Sequence, residues 1–320
     1  MFHSRITADL AVPEISVACP CYNEEENVAA IAQAIIAELE KARATFELIF
    51  IDNASKDRTV EIIRGLCAAD PRIRLIANTR NFGQMRSPTH VIYQTRGRGV
   101  LAISSDFQDP PECIGPMIAL WRGGAPIVLG QRESEPAGWA LTLGRKLGYG
   151  FMGRYGDVKT VPGATGFGIY DQKVVQLLKR WNEPEPFFRA MLVESGFPIA
   201  TVPHKRGQRL RGVSSNTLLP LLDFSISAIS GSAKKLLRLP IFLGLFSLLA
   251  VPVLLAGAGV AGLAGSAPTS WLIAALIEFN AGLLLVFAGL IGDQVRLTAE
   301  RTRGTPLVIE KERVNFPPGA

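Results

Sequence analysis

The sequence predicts an α/β domain on a mainly parallel, Rossmann-like sheet, followed by interfacial helices and a two-helix transmembrane hairpin. Three observations carry that expectation. Over roughly the first 205 residues, short β-branched runs alternate with segments whose apolar residues recur at helical spacing, the pattern of a doubly wound sheet. Three of the runs lead into polar loops of unusual composition. From Leu239 to Ile291, Glu278 is the only charged residue.

The strand expectations, in chain order, are Ile15 to Cys19, Phe46 to Asp52, Ile73 to Ala77, Val100 to Ser105 and Pro126 to Gly130. Between the first two, Val28, Ile31, Ile35 and Leu39 mark one face of a helix. Open sheets of this class bind ligands beyond the carboxyl ends of their strands, so chemistry is expected in the loops after Cys19, Ile51 and Ser105.

After Asn216 the stretch TLLPLLDFSISAISGSAKKLLRLP reads as amphipathic helix at a membrane interface over residues 216–238. Leu239 to Leu263 is about 25 residues, or about 37 Å as a helix, and Trp271 to Ile291 is about 21 residues, or about 31 Å; each can cross a bilayer. A short uncharged loop makes the pair a hairpin, residues 239–292. Lys234, Lys235 and Arg238 precede it and Arg296, Arg301 and Arg303 follow it, which puts both of its ends in the cytoplasm. Residues 293–320 are expected to form a cytosolic tail that packs on the membrane face or frays. Inside the second span, Glu278 and Asn280 point to a helix or subunit contact, and so to a homo-oligomer, with a lipid contact or an ion path as the alternatives.

Composition narrows the function classes. Hydrophobic residues are 48% and charged residues 19% of the 320, which excludes a disordered chain, a collagen-like fibre and an acidic tail protein. A net charge of +6 suits a nucleic acid, an anionic membrane or an anionic substrate. Nucleic acid is disfavoured, because the basic residues border the hairpin and form no aromatic-basic reading surface. Cys19, Cys21, Cys67 and Cys113 lack zinc-ligand spacing and read as reduced thiols of a cytosolic domain. The amino-terminal residues carry no apolar core of a signal peptide, so the first domain is expected to stay in the cytoplasm. No G-x-G-x-x-G follows the first strand, and G-x-S-x-G, H-E-x-x-H and P-loop patterns are absent, against dinucleotide, serine-hydrolase, zinc-protease and NTPase chemistry.

The loops themselves carry the chemistry. Pro20 to Asn27 reads PCYNEEEN and enters the first helix, with Asn23 as a candidate cap and the glutamates in a favoured first turn. Ile51 to Thr59 reads IDNASKDRT; Asp52 at the strand end can accept an N–H of a pyrimidine base, while Ser55 and Asp57 suit a turn and a cap. Ser104 to Glu112 reads SSDFQDPPE, placing Asp106, Gln108 and Asp109 ahead of the turn forced by Pro110 and Pro111. Carboxylate and amide oxygens there suit a hard divalent cation that also holds a diphosphate.

Taken together, the P-x-Y-N-E-E pattern at Pro20 to Glu25, the D-x-x-S-x-D-x-T pattern at Asp52 to Thr59 and the Q-D-P-P-E end of Ser104 to Glu112 resemble glycosyltransferase family 2 of GT-A fold. Within it, the chain is similar to the polyprenyl-phosphate glycosyltransferases, both GtrB-like and dolichol-phosphate-mannose-synthase-like. Phe187, Phe188 and Arg189, then Arg206, Arg209, Gly212 and Ser214, then Gly292, Asp293 and Pro306 extend the resemblance over almost the whole chain. It implies a catalytic domain over residues 1–215, with Pro20, Tyr22, Glu24, Asp52 and Ser105 on the nucleotide sugar. Arg206 and Arg209 would clamp its pyrophosphate, and Asp106 with Gln108 would hold Mg²⁺ or Mn²⁺. Asp106, Arg132 and Arg145 are the catalytic candidates, the two arginines receiving the acceptor phosphate.

The implied reaction moves a sugar from a nucleotide sugar, UDP-sugar favoured, to polyprenyl phosphate with inversion, for cell-envelope glycan or lipid modification. The implied location is the inner (plasma) membrane, as a multi-pass protein with its catalytic domain in the cytoplasm. Two positions depart from the family pattern: Ser104 stands where D-x-D has its first Asp, and Asn53 where D-D-G-S has its second. The lowered carboxylate count motivates one alternative, an inactive nucleotide-sugar-binding scaffold. A phosphate monoester nucleophile has a second pKa of about 6 and is already largely ionised, so the reaction needs no strong base. Asp109, beside Pro110, is expected only to shape its turn.

Overall fold

The structure, a computed structural model, describes residues 12–132, 161–205 and 268–317. The expected interface helix 216–238, the first expected span 239–263 and the site candidates Arg145, Arg206 and Arg209 lie outside these residues, as do Gly212 and Ser214. The chain divides into two compact units, one built on a sheet and the other containing a long helix.

The strands of the first unit are β1 (Ile15–Cys21), β2 (Phe46–Asp52), β3 (Ile73–Asn78), β4 (Gly99–Ala102), β5 (Ile127–Arg132), β6 (Ala164–Asp171), β7 (Ile199–His204) and β8 (Glu310–Val314). They form one sheet in the order β7-β5-β6-β4-β1-β2-β3-β8. β4, β1, β2 and β3 run parallel, β7 runs parallel to β5, β6 is antiparallel to both β4 and β5, and β8 is antiparallel to β3. The expected mainly parallel α/β sheet is therefore present, with two antiparallel strands that the β-branched runs do not announce.

The helices are α1 (Val28–Lys41), α2 (Thr59–Ala69), α3 (Gly83–Tyr93), α4 (Ile114–Arg122), α5 (Gln172–Arg180), α6 (Phe188–Glu194) and α7 (Pro268–Arg303). Both faces of the sheet are covered because successive strand residues point to opposite sides and the central strands are apolar on both. Val17, Cys19, Leu48 and Phe50 pack with Val28, Ile31, Ile35 and Leu39 of α1 and with α2 and α4. Ala18, Ile49 and Ile51 pack on the other side with Val91 of α3, Val174 and Leu178 of α5 and Leu192 of α6. Each fully buried Ile or Leu is worth about 1.5–3 kcal/mol, so this two-sided core holds the strand ends rigid.

At the amino ends of the strands, Glu47 of β2 is buried and receives Arg74 Nη1 of β3 at 2.8 Å, Arg96 Nε at 3.1 Å and the Ser16 hydroxyl of β1 at 2.5 Å. One carboxylate thus ties three parallel strands at the end opposite the site. Replacing Glu47 by an apolar residue would take this carboxylate from the buried Arg74, at about 3–5 kcal/mol.

The carboxyl-terminal tail corrects an expectation. Residues 310–314 do not fray; they add the edge strand β8 beside β3. Their sequence, EKERV, has no apolar alternation, and ion pairs anchor it instead. Arg64 of α2 pairs with Glu312, His90 Nε2 of α3 lies 2.6 Å from Glu310, and Arg313 donates to Gln94 at 2.8 Å. Asn315 then donates to the carbonyls of Cys67 and Ile73 at 2.7 and 2.9 Å. Since β8 starts opposite Asn78, the last residue of β3, it begins at the same end of the sheet at which β7 finishes.

In the second unit, α7 has 36 residues, about 54 Å, and includes the second expected span, 271–291. Ile273, Ile277, Leu284, Ile291 and Val295 are exposed along it. Among the residues described to the side chain, no helical stretch is long and apolar enough to cross a membrane. Asn280 donates its amide to the Leu276 carbonyl at 2.8 Å, so part of its hydrogen bonding is met within its own helix.

Candidate active site

The loops after β1 and β2 are laced together by hydrogen bonds between backbone and side chains. Asn23 N donates to Ser55 Oγ at 2.8 Å, Glu24 N to Thr59 Oγ1 at 2.8 Å and Glu25 N to Asp57 Oδ2 at 3.1 Å. In return Lys56 N donates to Asn23 Oδ1 at 2.8 Å and Arg58 N to Glu25 Oε2 at 3.0 Å. Asn23 therefore does not cap α1, as its sequence position suggests. It sits at φ 54°, where its side chain reaches the second loop, and α1 starts only at Val28, after the glutamates. Glu24 is half-buried, and its Oε2 accepts from Asn27 Nδ2 at 2.6 Å.

Asp52 ends β2 and is 1% exposed. Burial raises its pKa, and the hydrogen bonds from the Ser55 hydroxyl and amide oppose the rise. Asp57 shows the reverse balance: burial raises its pKa, but hydrogen bonds from the Thr59 hydroxyl and amide and the Glu25 amide outweigh it and leave it low. Ser55 closes the turn after Asp52, whereas Asp57 does not cap α2, whose N-cap is Arg58; its carboxylate instead accepts from the Thr59 amide two residues on, as in an Asx turn.

Asn53, 8% exposed, explains its own departure from the family pattern. Its Oδ1 accepts from Phe82 N at 2.9 Å and Asn78 Nδ2 at 3.2 Å, while its Nδ2 donates to Asn81 Oδ1 at 2.9 Å and the Gly83 carbonyl at 3.3 Å. All four contacts pin the loop between β3 and α3 against the loop after β2. A carboxylate could serve only the first two. This Asn78 to Gly83 loop, the fourth wall at this end of the sheet, carries no acid or Pro that marks it in the sequence.

Beyond β4, Ser105 donates its hydroxyl to the Pro20 carbonyl at 3.1 Å, joining the third loop to the first. Asp106 receives Gln108 Nε2 at 2.7 Å on one oxygen and Gln108 N at 3.2 Å on the other. Phe107 takes φ 59°, which turns the chain so that Gln108 folds back onto Asp106. Ser104 Oγ lies 2.9 Å from Asp106 Oδ1 and 2.8 Å from Asp109 Oδ2, so a single hydroxyl proton faces two carboxylates.

Asp109 corrects its expected minor part. It is 5% exposed, and its second oxygen accepts Arg132 Nη2 of β5 at 3.1 Å. Arg132 is in turn fixed at the strand end by its amide, which donates to the Gly163 carbonyl at 3.0 Å; Gly163 is at φ 79°, and a Cβ there would fall 2.7 Å from the Arg132 carbonyl. The Pro-Pro that follows Asp109 made it look like a turn residue, and nothing in the sequence links it to a residue 23 positions on.

Pro20, Asp52, Ser105, Asp106, Gln108 and Arg132 thus stand at the carboxyl ends of neighbouring strands or in the loops just after them. Electrostatics bears out the clustering. Burial raises the pKa of Cys19, reinforced by the negative charges of Glu24, Asp106 and Asp109; burial likewise raises that of Cys21, reinforced by Asp52, Glu24 and Asp57. Both thiols are held neutral and serve as packing groups. Among the described residues no three His, Cys, Asp or Glu side chains form a metal cage. The oxygens of Asp106 and Gln108 nonetheless fit a hard cation that draws its other ligands from water and substrate phosphate.

Residues 16–176 match the model of Glycosyl transferase family 2. YkcC of Bacillus subtilis (strain 168), an uncharacterized glycosyltransferase, is 29% identical over 312 residues, covering 92% of this chain and 93% of its own. Bactoprenol glucosyl transferase of Shigella phage SfX is 27% identical over 313 residues, 94% of this chain and 99% of its own. Among solved structures, the mannosyltransferase PcManGT from Pyrobaculum calidifontis, in complex with GDP-Man and Mn²⁺, aligns with a TM-score of 0.47 and 19% identity over 92% of this chain and 88% of that one. With its family model spanning the strands and loops that build this site, the chain is a glycosyltransferase and belongs to glycosyl transferase family 2.

Proposed function

We propose that this glycosyltransferase moves a sugar from a UDP-sugar to polyprenyl phosphate at the cytosolic face of a membrane, inverting the anomeric carbon and using Mg²⁺ or Mn²⁺. The observation that carries the reading is the meeting of Asp52, Asp106 and the Asp109–Arg132 pair at one end of the sheet. Relatives of nearly full length named bactoprenol glucosyl transferase support the lipid acceptor.

In this reading Asp52 accepts an N–H of the base, and Pro20, Tyr22, Glu24 and Ser105 wall the nucleoside. Asp106 and Gln108 would hold the divalent cation, which when bound would supply positive charge to the departing nucleotide diphosphate. Arg206 and Arg209 add cations to the same leaving group. Arg132 and Arg145 receive the acceptor phosphate, whose oxygen forms the new bond to the anomeric carbon as the bond to the diphosphate oxygen breaks. Because that phosphate is already largely ionised, the protein's work is alignment and charge neutralisation.

The lipid tail calls for an anchor. The sequence supplies one in the apolar stretches 239–263 and 271–291, set between a catalytic domain over 1–215 with an interface segment 216–238 and a tail over 293–320 that returns to the sheet as β8.

The donor assignment is tested by thermal unfolding with a panel of UDP- and GDP-sugars, each with and without Mn²⁺. A ligand bound only by the folded state at 100 times its Kd adds about 2.7 kcal/mol. A UDP-sugar should raise the midpoint only with Mn²⁺, whereas a shift from GDP-sugars alone, or from none, would contradict the assignment.

A further inference from the structure

Asp109 is nearly as buried as the core around it, yet both of its oxygens are spent on polar groups from different places in the chain. Oδ2 lies 2.8 Å from Ser104 Oγ, which also touches Asp106, and Oδ1 accepts Arg132 Nη2 at 3.1 Å. Among the described residues Arg132 Nε has no hydrogen-bond partner, and the guanidinium fork meets the carboxylate of Asp109. The arrangement is lopsided for a purely structural ion pair. Arg132 keeps 23% of its side chain exposed while Asp109 is at 8%, so the carboxylate is the buried partner and the guanidinium the accessible one.

We propose that Asp109 is a positioning residue that fixes Arg132 for the acceptor phosphate and ties that cation, through Ser104, to the Asp106 end of the site. The inference rests on the transferase reading above and deepens it. An arginine on a strand end has several rotamers, and a phosphate oxyanion is best held when the guanidinium fork is already aimed. Asp109 does this from below, with a charge that is itself held by the Ser104 hydroxyl. The serine at position 104 then has a use that a carboxylate there would not serve, since a third negative charge would crowd Asp106 and Asp109.

The test is a double-mutant cycle on the full chain in detergent, with Asp109→Asn, Arg132→Ala and the double variant assayed for transfer to polyprenyl phosphate. Asn keeps the size of the side chain and an acceptor for Ser104 but loses the charge that holds Arg132. Asp109→Asn should raise the acceptor KM roughly tenfold, with UDP affinity within about twofold of the parent. Because Asp109 acts through Arg132, the double variant should be no worse than Arg132→Ala alone. Ser104→Ala, which leaves the Asp109–Arg132 pair in place, should change the acceptor KM less than Asp109→Asn does. Additive losses in the cycle, or an Asp109→Asn protein that loses donor affinity and keeps its acceptor KM, would overturn the inference while the transferase reading stands. Absence of transfer by the parent chain would overturn both. If Asp109→Asn does not fold, as shown by loss of a cooperative unfolding transition, Arg132→Lys reads the same pair from the other side; an acceptor KM unchanged by that loss of the fork refutes the inference.

Discussion

Replacing Asn53 by Asp restores the residue of the family pattern, and the structure predicts that it harms this protein. The two hydrogen bonds accepted by Oδ1, from Phe82 N and Asn78 Nδ2, survive the change. The two donated by Nδ2 become contacts between oxygens, at 2.9 Å with Asn81 and 3.3 Å with the Gly83 carbonyl. Each lost bond is worth about 1 kcal/mol, and a charged oxygen facing two acceptors in a nearly buried place adds about 1–3 kcal/mol, tempered by the exposure of Asn81 and Gly83. The expected loss is about 2–4 kcal/mol near neutral pH.

The pH dependence gives this its sharpest form. Burial and the facing acceptors disfavour the charged carboxylate, so the pKa of the new Asp is raised in the folded state above the ordinary value of about 3.9. A raised folded pKa means that stability relative to the parent is best below the unfolded value and is lost as pH rises through the folded one. Denaturant unfolding of Asn53→Asp, Asn53→Ala and the parent between about pH 4 and pH 8 reads this directly. The Asp variant should approach the parent at the acid end and fall away above it, while the Ala variant should stay low with no such slope. Parity of Asn53→Asp with the parent near neutral pH would refute the argument that this amide is needed as a donor to the Asn78 to Gly83 loop.

Other outcomes follow from the same structure. Asp106→Asn should abolish transfer and the Mn²⁺-dependent part of UDP binding with the unfolding midpoint nearly unchanged; transfer at the parent rate would remove Asp106 from the cation site. At Glu310, burial raises the pKa, but hydrogen bonds from Arg313 and His90 overcome it and bring it down to about 2. That lowered pKa contributes stability above the ordinary value near 4.5 which is lost as pH falls toward about 2, so Glu310→Gln should cost about 1–2 kcal/mol at neutral pH, after allowance for solvent screening, with the deficit vanishing in acid. A pH-independent deficit would place the effect elsewhere. Single cysteines at Ser266 and Gly319 should react with an impermeant thiol reagent in intact cells at the first position and not at the second; the reverse pattern would overturn the hairpin topology.

How much of this was legible depended on what each element uses to hold itself. The strands with β-branched, two-sided burial announced themselves: Phe46 to Asp52 is read to the residue, and Ile73 to Ala77 lacks only Asn78. Strand β6, ATGFGIYD, hides behind two glycines, one of which, Gly168, sits where a Cβ would meet the Val128 carbonyl at 2.3 Å. Strand β8 is held by ion pairs to helices far away in sequence, and charge alternation over five residues looks like a solvated tail. The loops that carry Asp52 and Asp106 were legible because strand-end acids ahead of Pro or turn residues are unusual in themselves. The partnerships were not: Asp109 with Arg132 and Asn53 with Asn78, Asn81 and Gly83 are products of the sheet order, which brings β5 to the loop after β4 and sets β3 beside the loop after β2.

The most direct test of the central claim is isolation of the lipid product. Membranes from cells expressing the full chain are incubated with UDP-sugar labelled in the sugar, polyprenyl phosphate and Mn²⁺, and the organic extract is analysed by mass and by the configuration of the released sugar. The account predicts one sugar joined to the phosphate of the lipid, with the anomeric configuration opposite to that of the donor, and none when Asp106 is replaced by Asn. Label that stays in the aqueous phase as free sugar, or a lipid product that retains the donor's configuration, would contradict it.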